Sequence, residues 1–83
     1  MDFRVYVIIE VPILEKKYEL LVPIDRKIND LINLLRKNIP ELTQGYYSEN
    51  SPNLYNKSSG MIYDMNTTIK NSNIKVGTRL VML

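Results

Sequence analysis

Cysteine and histidine are both absent from the 83 residues. Their absence excludes a disulfide framework, a thiolate nucleophile or ligand, the usual zinc sites and a histidine general base. Any metal site would have to be built from oxygen ligands. Glycine is scarce, with only Gly45, Gly60 and Gly77, all in stretches that read as loop or turn. No apolar run approaches membrane length, and no leader of charged, apolar and cleavage regions opens the chain; a soluble cytoplasmic domain is the expectation. Charge of one sign is not concentrated either. The formal charge is +2 and the lysines and arginines are scattered, which argues against a nucleic-acid footprint. What remains is ordinary globular composition, 45% hydrophobic and 24% charged, which argues against disorder. Residues 1–83 are read as one domain, near the size at which a single core just suffices.

One stretch organises the rest. Ile28, Leu31, Ile32 and Leu35 recur at helical spacing, with Asn29, Asp30, Asn33, Arg36 and Lys37 on the opposite face. The spacing predicts a helix ending before Pro40, with Asn38 as a left-handed cap and Ile39 folding back on Leu34. Leu34 is the apolar residue that lies off the main stripe. At the start, Asp25 is the one good capping side chain nearby and Lys27 is a poor one.

The flanking segments alternate instead. Phe3, Val5, Val7, Ile9 and Val11 share one face of a predicted first strand, and Arg4, Tyr6, Ile8 and Glu10 the other. After a turn at Ile13 to Lys16, Tyr18, Leu20 and Val22 alternate with Lys17, Glu19 and Leu21, completing an antiparallel hairpin. Glu41 to Pro52 reads as a loop with room for a short helical turn near Leu42. Asn53 to Lys57 and Met61 to Asp64 read as a short hairpin around Ser58-Ser59-Gly60. Asn66-Thr67-Thr68 can cap a single turn carrying Ile69, and Arg79 to Leu83 forms a last strand with Leu80 and Met82 on one face.

The helical stripe needs a surface to bury it, and only the sheet is large enough. The expected core is Val5, Val7, Ile9, Leu20, Val22, Ile28, Leu31, Ile32, Leu35, Leu54, Ile62, Ile69, Ile74, Leu80 and Met82. If the last strand pairs with the first, the fold is α+β: a β-grasp with a mixed four- to five-stranded sheet wrapped on one helix.

From Leu54 to Leu83 the chain resembles the C-terminal half of ubiquitin-like domains, on Thr68-Ile69, Asn73-Ile74, Leu80 and Met82. Asn38-Ile39-Pro40 is similar to the glycine-isoleucine-proline that ends the ubiquitin helix. Leu21-Val22-Pro23, Ile28 and Leu31-Ile32 most resemble the YukD/EsaB group, accessory proteins of type VII (WXG100) secretion systems. The resemblance covers essentially the whole chain and rests mostly on core anchors. It implies a non-conjugated ubiquitin-like module that binds other proteins, secretion-system components among them. No enzyme activity, cofactor, metal, small-molecule substrate or membrane insertion is expected. Conjugated ubiquitins and sulfur carriers end in a flexible Gly-Gly, which threads into an activating enzyme; this sequence stops at Leu83 in a predicted strand. The competing readings are a ubiquitin-like regulator or nucleic-acid-associated β-grasp protein outside secretion, and a degenerate sulfur carrier.

The candidate site is the outer sheet face. The alternation turns Tyr6, Ile8, Leu21, Val81 and Leu83 outward, and the resemblance places Tyr55 at the centre of the patch through which ubiquitin-like domains bind. Arg4, Lys17 and Arg79 are expected at its rim. Such a patch marks a protein contact or weak self-association; ordinary surface apolarity is the competing reading. Tyr46-Tyr47 with Tyr55 and Tyr63 invite base stacking, but Glu49 and Asn50 beside them do not make a basic groove. Asp25 and Asp30 suit the positive end of the helix dipole. Glu10, Glu15, Glu19 and Lys16-Lys17 read as a solvated hairpin rim, and Asp64 as a turn former.

With ATP and a ubiquitin-type or sulfur-carrier activating enzyme, the protein is expected to form no adenylate and no thioester. Pyrophosphate exchange that depends on its own C-terminus would contradict this.

Overall fold

β1 (Arg4–Val11) and β2 (Lys16–Pro23) form the expected hairpin, in register from Arg4 opposite Pro23 to Val11 opposite Lys16. The computed structural model describes residues 3–43 and 52–83. A single turn of 3₁₀ helix, Pro12–Leu14, connects the two strands, and Glu15 closes it with a φ of 54°, in the left-handed region. Val5, Val7, Ile9 and Val11 are buried, whereas Arg4, Tyr6, Ile8 and Glu10 alternate on the other side.

The helix α1 (Ile28–Asn38) buries Ile28, Leu31, Ile32 and Leu35, the stripe read from its spacing. Its start is held from elsewhere in the chain. The Ile28 and Asn29 N–H groups donate to the Thr67 and Met65 carbonyls, both at 3.0 Å, satisfying donors that a helix leaves unpaired. Asp30 takes the local role expected of Asp25: its carboxylate accepts the Lys27 N–H at 3.2 Å. The end differs too. Asn38 is helical, not left-handed, because its side-chain amide donates to the Leu34 carbonyl at 2.8 Å and ties it into the last turn. Ile39 is extended, and its N–H still reaches the Leu35 carbonyl at 2.9 Å. A short 3₁₀ turn, Pro40–Thr43, follows. Tyr46, Tyr47 and most of the Glu41–Pro52 loop lie outside the described residues.

β3 (Leu54–Asn56) and β4 (Thr78–Met82) complete a sheet of order β2-β1-β4-β3. β4 runs parallel to β1, with Val7 opposite Thr78 and Ile9 opposite Leu80, and antiparallel to β3. Among the described residues the sheet therefore has four strands. The expected return strand at Met61 to Asp64 amounts to one bridge, Tyr55 with Ile62. Its alternation is shifted as well: Ile62 is 52% exposed and Tyr63, at 5%, takes its place in the core. The Tyr63 hydroxyl accepts from the Asn56 amide at 3.0 Å and donates to Asn73 Oδ1 at 2.6 Å, so this buried polar group is satisfied. Leu20 is half-buried at the core's margin; apart from Ile62, the other expected anchors are buried. The Ile69–Asn71 turn is 3₁₀, and Thr68 precedes it without a side-chain cap.

Leu35→Ala is expected to cost about 2–5 kcal/mol, through a cavity where α1 meets the sheet. Exposed Lys37→Ala should stay within about 0.5 kcal/mol. Chemical denaturation of both variants checks the contrast; equal midpoints would mean the stripe does not face the core.

Candidate protein-interaction face

The register fixes how the outer side of the sheet is laid out. Leu21 lies beside Tyr6; Glu19, Ile8 and Arg79 form the next row; Lys17, Glu10, Val81 and Tyr55 form the third. Beyond β4, Leu83 exchanges two backbone hydrogen bonds with Asn53, at 2.7 and 2.9 Å, and continues the same alternation. All six expected patch residues therefore belong to one face. Leu21 and Leu83 are 62% and 51% exposed, while Tyr6, Ile8, Tyr55 and Val81 are half-covered by their neighbours.

The face is not one uninterrupted patch. Lys57 donates its N–H to the Arg79 carbonyl at 3.0 Å, and its ammonium lies 2.6 Å from Glu10 Oε2. Glu10 is on β1 and Lys57 follows β3, so this ion pair spans β4 between Arg79 and Val81. It separates Leu21, Tyr6 and Ile8 from Val81, Tyr55 and Leu83. Arg79 is correspondingly not at the rim, where it was expected, but in the middle of the sheet beside Ile8. Parallel pairing of β4 with β1 puts it there. Lys17, on the outermost strand, and Arg4, at the start of β1, do lie at the margin.

The acidic residues here are engaged. Lys57 holds the Glu10 carboxyl below its usual 4.5, outweighing the opposing effect of desolvation, with Lys17 and Arg79 adding attraction. The Tyr6 hydroxyl donates to Glu19, which pushes its own pKa up. Elsewhere Lys16 and Glu41 stand 3.8 Å apart with both side chains about half exposed, a pair of little energetic weight. Asp64 is a turn former, its carboxylate accepting the Asn66 N–H at 2.9 Å. Among the described residues no cluster of acidic side chains could hold a metal ion, and no helix is long and apolar enough to cross a membrane.

The period-two alternation pointed to Tyr6, Ile8, Leu21, Val81 and Leu83 on this face, and the family resemblance to Tyr55. Both missed the Glu10–Lys57 pair, whose partners come together only once β3 and β4 are placed.

No family model and no curated protein sequence matches this chain. Solved structures do. A structure described as molecular mimicry of SUMO that promotes DNA repair matches over 96% of this chain and 90% of its own, at 14% identity and a TM-score of 0.75. The UBL domain of Plasmodium falciparum Dsk2 matches over 96% and 99%, at 13% identity and 0.66. A chain of the MycP5-free ESX-5 inner membrane complex matches over 98% of this chain but 21% of its own, at 11% identity and 0.65. At such identities the likeness is one of fold: the chain has the ubiquitin-like β-grasp fold, one helix on a mixed four-stranded sheet.

The pH dependence of the ion pair follows from its sign. A carboxyl held below its ordinary value in the folded state adds stability that is complete above that value and is lost as pH falls through the lowered one. Thermal midpoints of the wild type and Glu10→Gln are thus expected to differ at pH 7 and to converge below pH 4.5. A difference that persists unchanged to pH 3 would mean the Glu10 charge does not contribute.

Proposed function

We propose that this chain is a non-conjugated ubiquitin-like module that binds other proteins through the outer face of its sheet, as a cytoplasmic accessory component of a type VII (WXG100) secretion system. The observation that carries the binding role is the outer face itself. Tyr55 and Val81 lie directly opposite each other there, flanked by Leu83, on the side of the sheet that α1 does not cover. Apolar side chains on that side gain nothing from the core, and an open sheet ordinarily presents polar ones to water. An aromatic residue with aliphatic neighbours and arginine nearby is the composition of an interface hot spot.

Recognition without a covalent step suits a chain that lacks cysteine and histidine. The placement in secretion is supported by the resemblance of Leu21-Val22-Pro23, Ile28 and Leu31-Ile32 to the YukD/EsaB group. Incorporation of this fold into a larger assembly has a precedent in the ESX-5 inner membrane complex, where it occupies about a fifth of one chain.

Tyr55→Ala and Val81→Asp should leave the fold nearly intact and weaken partner binding or self-association by at least about 1–2 kcal/mol. Asn33→Ala, on the solvent side of α1, should leave binding unchanged. Sedimentation and pull-down on the three variants, with circular dichroism as the folding control, test this. Loss of binding in the helix variant with retention in the sheet variants would place the interface on the other side.

A further inference from the structure

One end of the sheet exposes apolar side chains that neither the core nor the outer face accounts for. β4 runs parallel to β1 and β2 antiparallel, so β1 and β4 begin, and β2 ends, at the same end. Val76 is there, 79% exposed, more than any other large apolar residue among those described. Phe3, just before β1, is 61% exposed.

Both are held by backbone. Val76 is the second residue of a turn closed by the Thr78 N–H to the Lys75 carbonyl, at 3.0 Å, and by the Lys75 N–H to Thr78 Oγ1, at 2.8 Å. Gly77 supplies the positive φ, 82°, that this turn needs, and its N–H ties the turn to the Tyr6 carbonyl of β1 at 2.8 Å. Nothing in that geometry calls for an aliphatic side chain at position 76. The Phe3 carbonyl accepts the Ile24 N–H at 3.1 Å, and the Ile24 carbonyl accepts the Lys70 N–H at 2.8 Å.

Charge is uneven along the strands. Residues 3–6, 23–26 and 69–77 hold four cations, Arg4, Arg26, Lys70 and Lys75, against one carboxylate, Asp25, and all five are exposed. Asp2 precedes them in the sequence. Among the described residues none of the four cations forms an ion pair. At the opposite end Glu10, Glu15 and Glu41 outnumber Lys16 and Lys17. The positive end is therefore the one that exposes Val76 and Phe3. Neither residue lines any of the larger concavities among the described residues. Apolar side chains that project singly within a collar of cations suit a deformable anionic surface better than a rigid complementary one.

We propose that this end of the sheet docks on an anionic lipid surface. Val76 and Phe3 enter the boundary between headgroups and acyl chains, and Arg4, Arg26, Lys70 and Lys75 lie among the acidic headgroups. The contact is peripheral, and Tyr55, Val81 and Leu83 on the outer face stay free for a protein partner.

The test is co-sedimentation with vesicles of equal parts phosphatidylglycerol and phosphatidylcholine, with circular dichroism to confirm folding of each variant. The protein is expected to bind these, not vesicles of phosphatidylcholine alone, and to be released at about 1 M salt, where screening is nearly complete. Lys70→Glu with Lys75→Glu should weaken binding at least about tenfold. Phe3→Ser with Val76→Ser should also weaken it, and Val81→Asp should not. The chain contains no tryptophan, so Val76→Trp gives a single reporter. Its emission should move to the blue on the mixed vesicles, whereas that of Met61→Trp should stay unchanged. No binding, equal binding to phosphatidylcholine alone, or no shift from position 76 would overturn the proposal. Sensitivity to the charge reversals with indifference to the serine changes would overturn it too, pointing to nucleic acid or another polyanion. Because Val81→Asp acts on the outer face alone, failure here is separable from failure of the protein-binding reading.

Discussion

The parallel pairing of β1 with β4 is the constraint on which the rest depends. It brings the first and last strands of the chain side by side and makes β1 an interior strand, so that Val7 and Ile9 are completely buried. Parallel neighbours cannot be joined by a tight turn, and the chain between β2 and β4 must cross over. That crossover carries one helix of eleven residues, about 16 Å long. One helix covers one side of the sheet. Among the described residues no helix covers the other side, so the apolar residues on it are not placed there by the core.

The helix is seated by backbone as much as by its apolar stripe. Ile28 and Asn29 donate to the loop carbonyls of Thr67 and Met65, while Ile69 and Lys70 donate back to Arg26 and Ile24 at 2.9 and 2.8 Å. This reciprocal pairing explains how Lys27, a poor capping residue, can precede the helix. The donors that a capping side chain would satisfy are met by a segment far along the chain.

What could be read from the sequence follows the range of each interaction. β1, β2 and α1 were legible because burial imposes a period of two or 3.6 on their own residues. The core was legible for the same reason, apart from Ile62 and the half-buried Leu20. Near Ile62 the local pattern offers Ile62 and Tyr63 in succession, and the choice between them is made by Asn56 and Asn73, which receive the Tyr63 hydroxyl. Asn38 was misplaced because its side chain bonds back to Leu34, an option that competes with the left-handed cap. The outer-face residues were legible strand by strand. Their division by Glu10 and Lys57 was not, since it needs the order of all four strands, and the same holds for the central position of Arg79.

The fold thus presents two surfaces of different kinds: an open face with apolar residues on either side of an ion pair, and a basic sheet end that exposes Phe3 and Val76. The central claim is that Tyr55 lies at a protein contact on the open face. Replacing Tyr55 with a photo-crosslinking amino acid in the native cell, and Asn33 in a parallel experiment, tests it most directly. The account calls for a discrete adduct from position 55 that disappears when Val81 is also changed to aspartate, and none from position 33. An adduct from position 33 with none from position 55 would contradict it.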